Sequence, residues 1–325
     1  MNEKTAKNKG LTTQKLLALL SLAMLIVIFS VLNPAFRSID NIFTIILATC
    51  VNGILALGVT FVIITGGIDL SLGTIMTFSA MMGGIAITVW QIPIILGVLF
   101  GILVGATCGF INGFVIAKMK LPPFIATMGM MMVTKGLSLV VSGAKPIYFS
   151  KFPAYNEIAL GSILGIPQVY NAILVYIAMC AIAWLLLSKT IVGRYDFALG
   201  SNEEAVRLSG VKVHNWKILI YSICGAFCAI AGVVMTSRLT SVQPGLGSGY
   251  ELEAIAAAVI GGTSLSGGEG GIQGTIIGAF IMSVLTNGLR IMSVKQELQS
   301  VVIGLVLVLA VYLDIIRRTR AEHSH

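Results

Sequence analysis

The chain has 325 residues, 57% of them hydrophobic and 10% charged, with a formal net charge of +8. Ordinary soluble domains carry about 25% charged residues, so a soluble globular fold is excluded and the composition is that of a polytopic membrane protein. The positive charge does not point to nucleic acid, because Lys and Arg gather in the N-terminal tail, a central polar loop and the C-terminal tail, where they set topology.

Lys4, Lys7, Lys9 and Lys15, in a tail over 1–15, hold the N-terminus in the cytoplasm by the positive-inside rule. The first helix, 16–32, therefore runs outward; it is long enough to span and reads as an uncleaved helix. Asn33, Pro34, Arg37 and Asp40 make an external turn. Helix two, 42–64, returns inward and ends in TGGIDLSLG, where Gly66 and Gly67 break the pattern and Asp69 is expected to cap a third helix from about Leu70. That helix exits near the interfacial Trp90. Helix four, 94–117, ends inside at Lys118 and Lys120, and its Gly97, Gly101, Gly105 and Gly109 form a small-residue ridge for close packing.

Helix five, 124–141, follows Pro122 and Pro123, carries Lys135 and surfaces outside. The segment from Ser142 to Pro167 is too polar and Pro-broken to span and too long for a tight turn, so it is the largest external feature. Helix six, 169–187, leads back to a polar loop over 189–217. Helix seven, 218–237, a Gly-rich link over 243–250 and a short apolar stretch over 255–260 follow; that stretch is either spanning or re-entrant, with Glu251 and Glu253 before it. Helices nine and ten, 274–292 and 298–313, finish before Arg317, Arg318 and Arg320. The expected fold class is an all-α polytopic membrane protein of about ten transmembrane helices over 16–314, with cytoplasmic tails at 1–15 and 315–325.

The central loop is the one long polar passage. At roughly 3 kcal/mol per charge at mid-bilayer, burying its eight charges would cost on the order of 20 kcal/mol, so it lies in water. Ser201 and Glu204 fit an S-x-x-E capping box, Glu203 and Glu204 sit in a first turn, Arg207 in the last, and Gly210 where a C′ residue belongs. A helix of about two turns is not stable alone, and Ala205 and Leu208 at i, i+3 offer an apolar face. That face is either a docking surface for a soluble partner or part of a solvated linker.

LSGGE at 265–269 looks like an ATPase signature, yet the chain has no G-x-x-x-x-G-K-[ST] to hold phosphates. The five Cys lie in apolar runs and His214, His323 and His325 stand far from other ligands, so neither a metal nor a cofactor is expected. Asn52, Asn112 and Asn287 lie in apolar helices, where polar groups either bond helices together or line an aqueous path. GGIDLSLG at 66–73 and GGTSLSGG at 261–268 echo one another, and broken helices in corresponding positions mark a transport path.

GGIDLSLG at 66–73, PPFIATMGMM at 122–131, GRYDFALGSNEEAVRLSGV at 193–211, YELEAIAAAVIGGTSLSGGEGGIQGT at 250–275 and Asp314 after an apolar helix occur in this order. Together they closely resemble the membrane permease subunits of bacterial ribose-type ABC importers, over about 41–314. The resemblance implies an ABC importer permease fold in the cytoplasmic membrane, carrying a monosaccharide such as ribose. It also implies a cytoplasmic ATPase partner, a periplasmic or lipid-anchored sugar-binding protein and a second permease protomer, alike or sister. The family's coupling helix maps onto 201–210, with Gly200, Asn202, Ala205, Ser209 and Gly210 at recurring positions. The expected coupling set is thus Gly200, Ser201, Asn202, Glu204, Ala205, Arg207, Leu208, Ser209 and Gly210. Asn52, Asp69 and Asn112 are expected on the solute path, and Lys145, Lys151 and Glu157 against the binding protein. Hydrolysis would belong to the partner. The rival class is an ion-coupled secondary carrier, for which the interior carboxylates Asp69, Glu251 and Glu253 are few.

Overall fold

A computed structural model describes residues 3–166 and 169–322 of the chain. The described elements, in order, are α1 (Glu3–Leu32), a 3-10 turn (Pro34–Arg37), α2 (Ile39–Ile64), α3 (Leu72–Thr88), α4 (Ile94–Lys118), α5 (Pro123–Ser142), β1 (Ile147–Tyr148), α6 (Pro153–Leu160), α7 (Asn171–Lys189), α8 (Ile191–Leu208), α9 (Val213–Leu239), β2 (Ser241–Val242), α10 (Tyr250–Ile260), α11 (Ile272–Ile291) and α12 (Gln296–Glu322). Seven of these helices, α2, α4, α5, α7, α9, α11 and α12, are long and apolar enough to cross a membrane. The apolar part of α1, Leu16–Leu32, and α3 are shorter. At eleven residues, α10 covers only about half of a 30 Å hydrocarbon core. Helix α1 runs without a break through the segment expected as a tail. His323 and His325, and Pro167 at the end of the external segment, lie outside the described residues.

Helix α2 is the centre of the bundle. From Thr49 to Ile64 it is apolar on every face apart from Thr49, Asn52 and Thr60, and all of it is buried, as a helix without a polar stripe must be. It is surrounded by α7, α9, α10 and α11. By contrast, the apolar window of α12 is 0% buried and that of α5 is 22% buried, which leaves these helices to face lipid or another chain.

The glycine ridge of α4 is divided between two neighbours. A Cβ on Gly101 would lie 2.9 Å from the Ser79 carbonyl of α3, and one on Gly105 would lie 2.6 Å from the Gly225 carbonyl of α9. One turn further, a Cβ on Gly109 would overlap the Tyr221 carbonyl. Small residues at this spacing let backbones approach directly, the main source of packing energy between helices in lipid.

The segment after α5, expected outside, is more ordered than its polarity announces. Strands β1 and β2 pair antiparallel, Ile147 opposite Val242, and form a small ribbon within the helical fold. The Phe149 and Tyr155 rings stack at 4.0 Å, the Tyr155 hydroxyl meets Thr236 Oγ1 at 2.7 Å, and Ser237 Oγ accepts from the Ala159 amide at 2.9 Å. These contacts fasten α6 to the C-terminal end of α9.

Candidate functional site

The polar loop folds as α8, whose axis breaks at Asn202, where φ is −163° and ψ is 94°. The non-helical backbone lets Asn202 Oδ1 accept from the Ala205 amide at 2.9 Å, so Asn202 is the N-cap of the second part. The expected Ser201–Glu204 capping box is not formed. Ser201 instead lies, exposed, against the turn after α10, where a Cβ on Gly268 would stand 2.8 Å from its hydroxyl. Glu204 turns outward and pairs with Arg207, whose Nε donates to Oε2 at 3.0 Å. That pairing holds the Glu204 carboxyl below the usual carboxylate range. Glu203 accepts from Lys217 Nζ at 2.6 Å, tying the helix to the base of α9. At the far end the Gly210 amide donates to the Arg207 carbonyl at 3.0 Å and Gly210 has φ +82°, the left-handed C′ conformation expected of it. Ser209 is the C-cap. Ala205 is exposed and Leu208 is 78% exposed, so the apolar face is uncovered.

The other half of α8 is locked to the membrane bundle through main chain. A Cβ on Gly200 would overlap the Ile64 carbonyl and the Gly268 amide. The Gly268 amide itself donates to the Ile64 carbonyl at 2.9 Å. Gly267, at φ +80°, leaves only 2.9 Å between a Cβ and the Gly66 amide. The two glycine breaks noted in the sequence therefore meet at Gly200, with Gly267 and Gly268, rather than Gly261 and Gly262, facing Gly66. A cavity of about 230 Å³ lies beside this joint, lined by Thr65, Gly66, Gly67, Glu203, Lys217 and Tyr221 among others. Asp196, one turn before Gly200, is fully buried with both carboxylate oxygens unpartnered among the described residues. Burial pushes its carboxyl well above the usual range. Nothing in the sequence pattern singles it out. On the other side of the turn, Ser264 Oγ donates to Asp314 Oδ2 at 2.9 Å, which ties α12 to the same region.

Asp69 does not cap α3, which begins at Leu72 after Ser71. Asp69 Oδ1 accepts from the Ser71 amide at 2.8 Å and the Ser71 hydroxyl at 2.5 Å, and that hydroxyl accepts from Asn112 Nδ2 at 3.0 Å. Asp69 and Asn112 are thus brought together, both buried, joining the break after α2 to α4. Asn52 lies apart in α2, buried, with both amide atoms unpartnered among the described residues. Lys145, Lys151 and Glu157 are all exposed between α5 and the end of α6. By its sequence, 243–250 is a Gly-rich link. In the structure the Gly247 amide donates to Thr77 Oγ1 at 2.9 Å and a Cβ on Gly73 would overlap the Gly247 carbonyl, so α3 and α10 begin side by side. Glycines at 245, 247 and 249 were the available signal.

Residues 41–311 match the family described as branched-chain amino acid transport system / permease component. The chain is 41% identical over 303 residues to the ribose import permease protein of Escherichia coli (strain K12), covering 91% of this chain and 92% of that protein. It is 45% identical to the ribose import permease protein of Bacillus subtilis (strain 168), covering 93% and 92%, and 36% identical to the fructose import permease protein of Rhizobium meliloti, covering 91% and 84%. A solved structure titled as an inward-facing conformation of a putative metal-chelate type ABC transporter shares the fold, with a TM-score of 0.51 at 18% identity over 92% of this chain and 98% of that one. A largely helical membrane protein with a capped helix held against two broken segments, matched over nine-tenths of its length, this chain belongs to the permease family of ribose-type ABC importers.

Proposed function

We propose that the chain carries a monosaccharide, ribose or a related sugar, across the cytoplasmic membrane, driven by a separate ATPase that grips the helix after Asn202. The observation that carries this reading is the uncovered face at Ala205 and Leu208 on a helix whose other half is wedged through Gly200 between α2 and the turn after α10. A push on that face reaches both membrane breaks through the main-chain contact at Gly200.

In this reading about ten segments cross or enter the bilayer within 16–314, and both tails are cytoplasmic. Two protomers, alike or paired with a sister, enclose the path among lipid, and the subunit has no nucleotide site of its own. Gly200, Ser201, Asn202, Glu204, Ala205, Arg207, Leu208, Ser209 and Gly210 make up the coupling surface. Lys145, Lys151 and Glu157 receive a sugar-binding protein outside. Asn52, Asp69 and Asn112 reach water in a state of the cycle other than the closed packing described above; cysteines there that stay unlabelled in every nucleotide state would make them structural.

The test is reconstitution. Liposomes holding the chain with its ATPase and binding protein should take up D-ribose on ATP addition, and liposomes holding the chain alone should not. Uptake by the chain alone would make it a secondary carrier. Glu204→Lys and Arg207→Glu should each abolish uptake and ATPase stimulation while the protein stays in the membrane; unchanged transport defeats the coupling assignment.

A further inference from the structure

Beyond Asn202 the second part of α8 is lightly held. The extended backbone of Asn202 breaks the helix axis, and the residues over 203–205 and 207–210 are all exposed. Val206, half-buried, packs on the apolar core. Among the described residues one polar bond ties this part of α8 to the rest of the chain: Lys217 Nζ of α9 donates to Glu203 Oε2 at 2.6 Å. The Glu203 side chain is 50% exposed and that of Lys217 17%. A pair so placed adds little to stability and is easily broken and remade.

Both partners line the cavity of about 230 Å³ beside the Gly200 joint. Four helix ends converge on it: Thr65, Gly66 and Gly67 after α2, Ile116 near the end of α4, Pro123 at the start of α5, and Lys217 and Tyr221 near the start of α9. These walls are fastened to one another. A Cβ on Gly67 would overlap the Tyr221 hydroxyl, and one on Gly113 would lie 2.6 Å from Ile218 Cα, so α2 and α4 both abut α9 closely. Thr127 Oγ1 lies 3.2 Å from the Ile68 carbonyl, which joins α5 to the same break. Glu203 belongs to the remaining wall, which turns on a helix break and is held by a side-chain pair.

We propose that this cavity is the inner vestibule of the solute path, holding one neutral, polyhydroxylated molecule before release. Glu203 and Lys217 form the latch on its mouth, opened when the second part of α8 moves about Asn202. The Thr65 hydroxyl donates to the Val62 carbonyl at 2.7 Å and keeps its lone pairs for a solute hydroxyl. Once parted, the carboxylate accepts from solute hydroxyls and the ammonium donates to them. Their opposite charges leave the mouth without net charge, which suits an uncharged sugar better than an ionic solute. The volume is several times the roughly 30 Å³ of one water, the scale of a monosaccharide. The inference rests on the permease reading, which puts these helix ends at the cytoplasm, and adds to it the residues that close the inner end of the path.

The experiment uses the complex of permease, ATPase and binding protein, with D-ribose as the probe. In liposomes, with the five native cysteines replaced, Glu203→Cys and Lys217→Cys together are bridged by a short bifunctional thiosulfonate. Ribose uptake should fall at least tenfold against the same variant before treatment and return when dithiothreitol cleaves the bridge. In the native background Glu203→Lys and Lys217→Glu set like charges against each other, and each should lower uptake at least fivefold; the two combined should restore it to within twofold of the parent. In nanodiscs, labelling of Thr65→Cys by a membrane-impermeant thiol reagent should be slowed at least threefold by D-ribose. Uptake that survives the bridge, single reversals as active as the parent, or a double reversal no better than the singles overturns the latch. Labelling at one rate with and without ribose overturns the vestibule. Each of these leaves the permease reading standing while the parent complex takes up ribose on ATP addition; a parent complex that does not defeats both.

Discussion

Gly200 of α8 lies against the carbonyl of Ile64 at the end of α2 with no space between them for a side chain. Gly200→Ala must therefore push α8 off the membrane bundle, because the obstructing atoms are backbone. We expect initial ribose uptake to fall at least tenfold with normal membrane abundance. Gly210→Ala meets no neighbour and carries only left-handed strain of about 1–2 kcal/mol, so its uptake should fall far less. Uptake rates normalised by immunoblot check the pair.

Asn202 and Ser201 separate by role. Losing an N-cap oxygen costs about 1 kcal/mol, so Asn202→Ala should weaken ATPase stimulation several-fold while Asn202→Asp retains it. Ser201→Ala, which removes no cap, should not reproduce that loss. ATPase assays of the reconstituted complex distinguish them.

Asp196 gives a pH signature. Its carboxyl is held neutral by burial, so its pKa is higher folded than unfolded and the folded chain binds that proton more tightly. Stability then declines as pH rises above the unfolded carboxylate value of about 4, and continues to decline up to the raised folded pKa. Asp196→Asn lacks this slope. Its thermal midpoint in detergent should exceed the parent's at pH 8 and converge with it toward pH 4.

The α4 ridge is tested by depth of contact. Gly109→Ala would set a methyl into the Tyr221 carbonyl of α9, whereas a Cβ on Gly304 of α12 meets nothing within 4 Å. The first variant should be largely lost from the membrane by immunoblot; Gly304→Ala should match the parent.

Ser264 and Asp314 tether α12, which is otherwise thinly packed. Hydrogen bonds to charged groups contribute about 1.5–3 kcal/mol, and both partners act through one bond, so Ser264→Ala and Asp314→Ala combined should cost less than their sum. Thermal midpoints of the two singles and the double give that coupling.

Much of this was legible in the linear pattern. Apolar runs located the long helices because each must cover a bilayer, and the four-residue glycine spacing of α4 named a packing face before its partners were known. Gly210 was identified as a helix end because few other residues accept a left-handed turn. The N-cap lies one residue further than the local pattern predicts: Ser201 and Asn202 are both good caps, but the backbone break falls at Asn202, while Ser201 sits against Gly268, 67 positions away in the chain. Asp69 was read as a cap because local chemistry favours it; the structure spends it on Ser71 and, through it, on Asn112 of α4. The ribbon between β1 and β2 pairs segments almost a hundred residues apart, and two-residue strands carry no periodicity to detect.

The joint between Ile64, Gly200 and Gly268 has a mechanical meaning. Flexible side chains at an interface can absorb a displacement by changing rotamer, so that movement on one side fades before the other responds. Peptide groups braced on peptide groups have no such slack. A tilt of the part of α8 before Asn202 is therefore passed to the end of α2 and to the loop beyond α10 through main chain, which makes this corner a lever bearing rather than a cushion.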